Sequence, residues 1–148
     1  MIVLDTTILA SAEGLDGSGR REETLALLSL LPRDAILLPA QSLAEFAHLL
    51  HRKAKYDRAR VGDVVTSWRE IGLALPTSGE VIDGALHLMI NHQFQTFDAI
   101  ILAAAIEARA AVMLSEDMQH GFTSGGVTIV NPFVTPMHPA LKRLVINR

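Results

Sequence analysis

The chain of 148 residues contains no cysteine. That absence excludes disulfides, thiolate zinc sites and cysteine nucleophiles together, and leaves oxygen and imidazole as the available metal ligands. No apolar run reaches the roughly 18 residues of a membrane span. The opening MIVLDTT meets a carboxylate at Asp5 without a basic stretch or a long apolar core, so no secretory leader is expected. Cysteine-free composition and the missing leader together predict a cytoplasmic protein without a membrane anchor. Charge of one sign is lacking as well. At a net −3, any contact with nucleic acid must come from a local basic patch or from bound cations.

The common nucleotide and zinc signatures are missing too. No Gly-x-Gly-x-x-Gly follows the first apolar run, no Gly-x-x-x-x-Gly-Lys is present, and no His-Glu-x-x-His occurs. Repeats, low-complexity tracts and linkers are likewise lacking. With 49% hydrophobic and 20% charged residues, the whole of 1–148 reads as one domain, of a size that buries about 70% of the surface its unfolded chain exposes.

Short apolar runs alternate with helical patterns. Ile2 to Leu4 and Val112 to Leu114 read as strands buried on both faces, Ala35 to Leu38 and Val127 to Val130 as further strands, and Leu73 to Leu75 as a brief extended piece ending at Pro76. Between them, helices are expected from Thr6 or Thr7 as caps, over Glu22 to Leu31, Gln41 to Lys55, Ala59 to Ile71, Gly79 to Asn91 and Phe97 to Arg109. Gly14 to Gly19 reads as a loop. Phe97 to Arg109 is apolar nearly all round and should be central. Ile8, Leu9, Phe46, Leu49 and Leu50 are expected in the core. The fold class is therefore α/β, with about five parallel strands and helices on both faces in three layers.

In such a sheet, ligands bind beyond the carboxyl ends of the strands. Asp5 directly follows the first strand, Glu45 falls in the first turn of the helix after AILL, Asp98 opens the apolar helix, and Asp117 lies just past VML. Each has an ordinary explanation. Glu45 can complete a capping box with Ser42. Asp98 can complement the helix dipole behind a Thr96 cap. Asp5 and Asp117 can be turn residues. Together, however, four carboxylates on one edge repel one another unless cations neutralise them. Oxygen ligands without thiolate select Mg²⁺ or Mn²⁺, and such ions serve phosphodiester hydrolysis.

The segments LDTTILA, PAQSLAEF with Glu45, TFDAIILAAA with Asp98, and LSEDMQHG running into GVTIVNPF resemble the successive motifs of PIN domains, especially VapC-type toxins. The resemblance spans nearly the whole chain. It implies a five-stranded parallel sheet between helices, an acidic metal pocket, and endonucleolytic cleavage of RNA restrained by a cognate VapB-like antitoxin, with a homodimer as the usual assembly. Asp5, Glu45 and Asp98 match the first three acids of the family motif. Asp117 matches a fourth place that is often Asp or Asn, Ser115 the Ser/Thr hydroxyl two residues before it, and Thr6 the hydroxyl after the first acid. By role, Asp5, Asp98 and Asp117 are expected to ligate metal, with Glu45 orienting or deprotonating the attacking water. Thr7 departs from the pattern, since many relatives carry Asn there.

Arg52, Lys53, Lys55, Arg58 and Arg60 form a basic stretch that reads either as a phosphate-contacting patch or as a solvated helix end. Arg20 and Arg21 are a weaker second patch. Glu45-x-x-His48 has the spacing of a di-iron half-site but occurs once, so His48 and His51 read as polar helix-face residues. Two other classes compete: a PIN-like module that binds RNA or an antitoxin without cutting, and a phosphoryl-transfer enzyme with Asp5 as nucleophile. The latter needs an acid at position 7, where Thr7 stands.

Overall fold

The computed structural model describes residues 1–15, 17 and 19–146. Part of the expected Gly14 to Gly19 loop, Asp16 and Ser18, lies outside the described residues. The elements run β1 (Ile2–Leu4), α1 (Thr6–Ala12), α2 (Arg21–Ser29), β2 (Ile36–Pro39), α3 (Ala40–Arg52), α4 (Arg58–Ile71), β3 (Leu73–Leu75), α5 (Gly79–His92), α6 (Thr96–Glu107), β4 (Val112–Leu114), β5 (Thr123–Ser124), β6 (Val127–Val130) and α7 (Pro139–Ile146).

The strands form one sheet in the order β3-β2-β1-β4-β6-β5. The first five are parallel, with Ile2 opposite both Ile36 and Val112, and β5 adds an antiparallel edge through Thr123 and Thr128. The α/β class and the five parallel strands thus match the sequence reading.

Strand side chains alternate between two cores, as a period of two requires. Ile2, Leu4, Ile36, Leu38, Val112 and Leu114 face one core, which Ile8, Leu9, Phe46, Leu50, Trp68 and Leu141 complete from α1, α3, α4 and α7. Val3, Leu37 and Met113 face the other, against α5 and α6. Most of these side chains are fully buried, and each contributes about 1.5–3 kcal/mol relative to exposure. Helix α6 is buried from Ala99 to Ala105 without interruption, which is why its sequence shows no polar face. Leu49, expected in the core, is only partly buried.

Three local expectations fail. Helix α3 begins at Ala40 after Pro39, so Ser42 sits inside the helix and caps nothing; Glu45 lies in its second turn, not its first. Helix α6 is capped by Gln95, whose Oε1 accepts from the Asp98 amide at 3.2 Å, and not by Thr96. Helix α1 begins at Thr6 with Asp5 in the cap position but without a side-chain cap bond, because that carboxylate is engaged elsewhere. Strand β5 and helix α7 are additional to the elements expected from the sequence. Among the described residues, no helix is long and apolar enough to cross a membrane.

Candidate active site

The parallel sheet sends Asp5 off the end of β1 and the Ser115–Asp117 segment off the end of β4, its immediate neighbour. Helix α3 then brings Glu45 over the same edge, and α6 starts there with Asp98 three residues beyond its cap. All four acids line a single cavity of about 280 Å³, with Thr6, Thr7 and Lys53 also on its wall.

The acids are tied together by hydroxyls. Ser115 is fully buried, and its Oγ lies 2.8 Å from Asp5 Oδ2 and 3.1 Å from Asp117 Oδ1. One hydroxyl proton is therefore shared between two carboxylates. Met118 N–H donates to the same Oγ at 3.2 Å and fixes it. Thr7 donates to Asp5 Oδ2 at 3.0 Å and accepts from Glu116 N–H at 3.1 Å, linking the end of β1 to the turn after β4. Glu45 is held at both oxygens, by Thr6 at 2.9 Å and by Gln41 at 3.1 Å.

Burial dominates the electrostatics. Asp5 is 2% exposed, and desolvation, against the hydrogen bond from Ser115 and with the Asp117 charge added, raises its carboxyl from 3.8 to about 7. Asp98 rises from 3.8 to about 6 through burial first, then the charges of Asp117 and Glu45. Among the described residues, no hydrogen-bond donor offsets the shift of Asp98.

Every acidic donor is a hard oxygen, the acids repel one another, and among the described residues Lys53 is the single Lys or Arg on the cavity wall. That set fits a divalent cation such as Mg²⁺ or Mn²⁺. Among the described residues, no three acidic or histidine side chains stand close enough to form a ready-made ion cage. An ion here would keep much of its water shell, as Mg²⁺ does when one or two carboxylates hold it.

A family model described as PIN domain matches residues 2–121. The chain belongs to the PIN domain family. No curated protein sequence matches it significantly. Solved structures share the fold of this PIN domain at low identity. The VapC20 toxin of Mycobacterium tuberculosis, described as cleaving the sarcin-ricin loop, is 18% identical, with 76% of this chain and 87% of that one covered and a TM-score of 0.64. A toxin–antitoxin complex from Klebsiella pneumoniae is 20% identical, covering 90% and 98%, with a TM-score of 0.65. FitAcB from Neisseria gonorrhoeae is 19% identical, covering 90% and 99%, with a TM-score of 0.63.

The basic stretch divides. Lys53 reaches the cavity wall of the PIN domain. Arg52, Lys55 and Arg58 are exposed and line no part of it, and Arg60 lies over the Tyr56 ring at 3.6 Å. Arg20 pairs with Glu116 at 3.1 Å and covers Phe133, while Arg21 pairs with Glu22. His48 is exposed and shares a neighbouring cavity with Glu45, and His51 Nδ1 lies 2.9 Å from the Tyr56 carbonyl; neither lines the cavity where the four acids meet. Gln41 was missed, although its place four residues before Glu45 on one helix is the spacing at which side chains meet.

Proposed function

We propose that this PIN domain is a divalent-metal-dependent endoribonuclease and the toxin half of a toxin–antitoxin pair. The observation that carries this reading is the meeting of Asp5, Glu45, Asp98 and Asp117 on one cavity at the carboxyl edge of the sheet. PIN domains generally use divalent metal ions, and Asp5, Asp98 and Asp117 are the residues that would hold one here. Such an ion supplies positive charge to the phosphodiester and makes water a better nucleophile near neutral pH.

The protein's own groups do the rest. Glu45, fixed at both oxygens by Thr6 and Gln41, receives the proton of the attacking water. Ser115 and Thr7 hold Asp5 in orientation. Lys53 meets the negative phosphate from the cavity wall. An apolar face on α5, where Ile82, Leu86 and Ile90 recur every four residues and stand 38%, 49% and 75% exposed, is the kind of surface a protein partner covers. It supports a homodimer or a bound antitoxin. RNA as substrate accords with a cytoplasmic site of action.

The test is cleavage of RNA by the purified protein with Mg²⁺ or Mn²⁺. Cleavage should stop with chelator and fall at least about a hundredfold in Asp5→Asn and Asp98→Asn. Full activity in either variant would overturn the mechanism. The runner-up is a module that binds RNA or an antitoxin without cutting. Binding without cleavage under any metal would select it.

A further inference from the structure

A second cavity, of about 210 Å³, opens beside the acidic one and shares Asp98 and Asp117 with it. Its other walls are His92, Gln93, Phe94 and Gln95 from the α5–α6 turn, and Met118 and Gln119 from the segment after β4. Phe122 stands behind two of these rings. Its centroid is 5.2 Å from that of His92 and 5.2 Å from that of Phe94, with edge-to-face angles of 72° and 65°. Such packing holds the two rings in place before any ligand arrives.

Most of the amide groups here are uncommitted. Among the described residues, the amides of Gln93 and Gln119 make no side-chain hydrogen bond, both residues are exposed, and Gln95 uses only its Oε1, on the Asp98 amide. An amide presents a donor and an acceptor side by side, the pattern that pairs with a base edge. None of the lining residues is Lys or Arg. Unlike the acidic cavity, which has Lys53, this one offers a phosphate no basic side chain, whereas an uncharged, flat heterocycle with donors and acceptors is accommodated. The cavity is smaller than the roughly 300 Å³ at which pockets for drug-sized ligands begin, which suits one base.

The geometry points to a subsite for a single unpaired nucleobase, the one beside the phosphate that lies against Asp5, Glu45, Asp98 and Asp117. Phe94 and His92 form its stacking platform, and Gln93, Gln95 and Gln119 read its edge. This deepens the nuclease reading and rests on it.

The experiment is an abasic walk along a labelled single-stranded RNA, in which each nucleotide in turn loses its base. Binding is measured in chelator by fluorescence anisotropy, and kcat/KM for cleavage with Mn²⁺. In the unsubstituted protein, one position should weaken binding or kcat/KM about tenfold, and in Phe94→Leu and Gln119→Ala that penalty should shrink to under about threefold. Gln119 is exposed, so Gln119→Ala tests the subsite even if Phe94→Leu fails to fold. A flat walk, or a penalty equal in all three proteins, overturns the subsite. Cleavage with a flat walk defeats the subsite alone. A position-specific penalty in binding without cleavage under any metal defeats the nuclease reading and leaves the subsite standing. Neither binding nor cleavage defeats both.

Discussion

Replacing Asp5 with Asn should make the ion-free protein more stable at pH 8 while removing its activity. Asp5 is 2% exposed, and burial, with the Asp117 charge outweighing part of what Ser115 and Thr7 give back, lifts its carboxyl from 3.8 to about 7. The unfolded chain loses this proton near pH 4, whereas the folded chain keeps it until near neutrality. Between those values the folded state binds the extra proton, so stability falls as pH rises. The stabilisation is fully present below about pH 4 and is gone above about pH 7. A shift of about three pH units at 1.36 kcal/mol each is on the order of 4 kcal/mol. Asn keeps an acceptor for Ser115 and Thr7 and has no charge to desolvate. In a chain of 148 residues, that difference moves the melting temperature by on the order of 10 °C.

Thermal unfolding in chelator from pH 4 to pH 8 measures it. The unsubstituted protein should lose on the order of 10 °C relative to Asp5→Asn across that range. Adding Mn²⁺ at pH 8 should return the loss to the unsubstituted protein and do little for the variant, since an ion that binds only the folded state stabilises it. Parallel pH curves for the two proteins would refute the electrostatic account, as would equal stabilisation of both by Mn²⁺.

Two smaller perturbations test the surroundings. Ser115→Ala removes the hydroxyl between Asp5 at 2.8 Å and Asp117 at 3.1 Å, and kcat/KM for RNA cleavage should fall about 10- to 100-fold with little change in fold; unchanged kinetics would make Ser115 a spectator. Arg109 has φ 56 just past α6, where Ala110 N–H reaches back to the Ala105 carbonyl. Arg109→Gly should therefore raise unfolding free energy in urea by about 0.5–1 kcal/mol, and a decrease would show that the arginine side chain matters more than its backbone.

Much of the placement of the candidate site is legible in the sequence because strand ends are legible. Ile2 to Leu4 and Val112 to Leu114 are short apolar runs that stop at a polar residue, so Asp5 and the Ser115–Asp117 segment were placed by sequence order alone. Glu45 was placed on the correct helix but one turn too early, because Pro39 and Ala40 start α3 before Ser42. Thr7 illustrates what order cannot give. Its bond to Asp5 is local, but its acceptance of Glu116 N–H spans 109 positions and exists only once β1 and β4 pair. Strand β5 is two residues long and leaves no periodic trace. Helix α7 did leave one: Pro139 opens it, and Leu141, Leu144 and Val145 recur at helical spacing and pack on the core.

The ordinary explanations of the acids can now be decided by sign and position. A carboxylate placed to complement a helix dipole gains stabilisation of its charged form, so its pKa should fall. Asp98 sits at the start of α6, yet its pKa rises to about 6 through burial first and then the charges of Asp117 and Glu45. A capping box needs Ser42 at the cap and its hydroxyl on a backbone amide; instead Ser42 Oγ is buried without a partner among the described residues, and Glu45 bonds Thr6 and Gln41. Asp98 stands in the first turn of α6, as helix stability would have it, but its burial beside Asp117 and Glu45 is nothing a helix start requires, and Glu45 lies in the second turn of α3. Asp98 and Asp5 raise the free energy of the ion-free fold through burial and the charge of Asp117, which is remote from both in sequence, and a bound cation is the partner that reverses that sign for each.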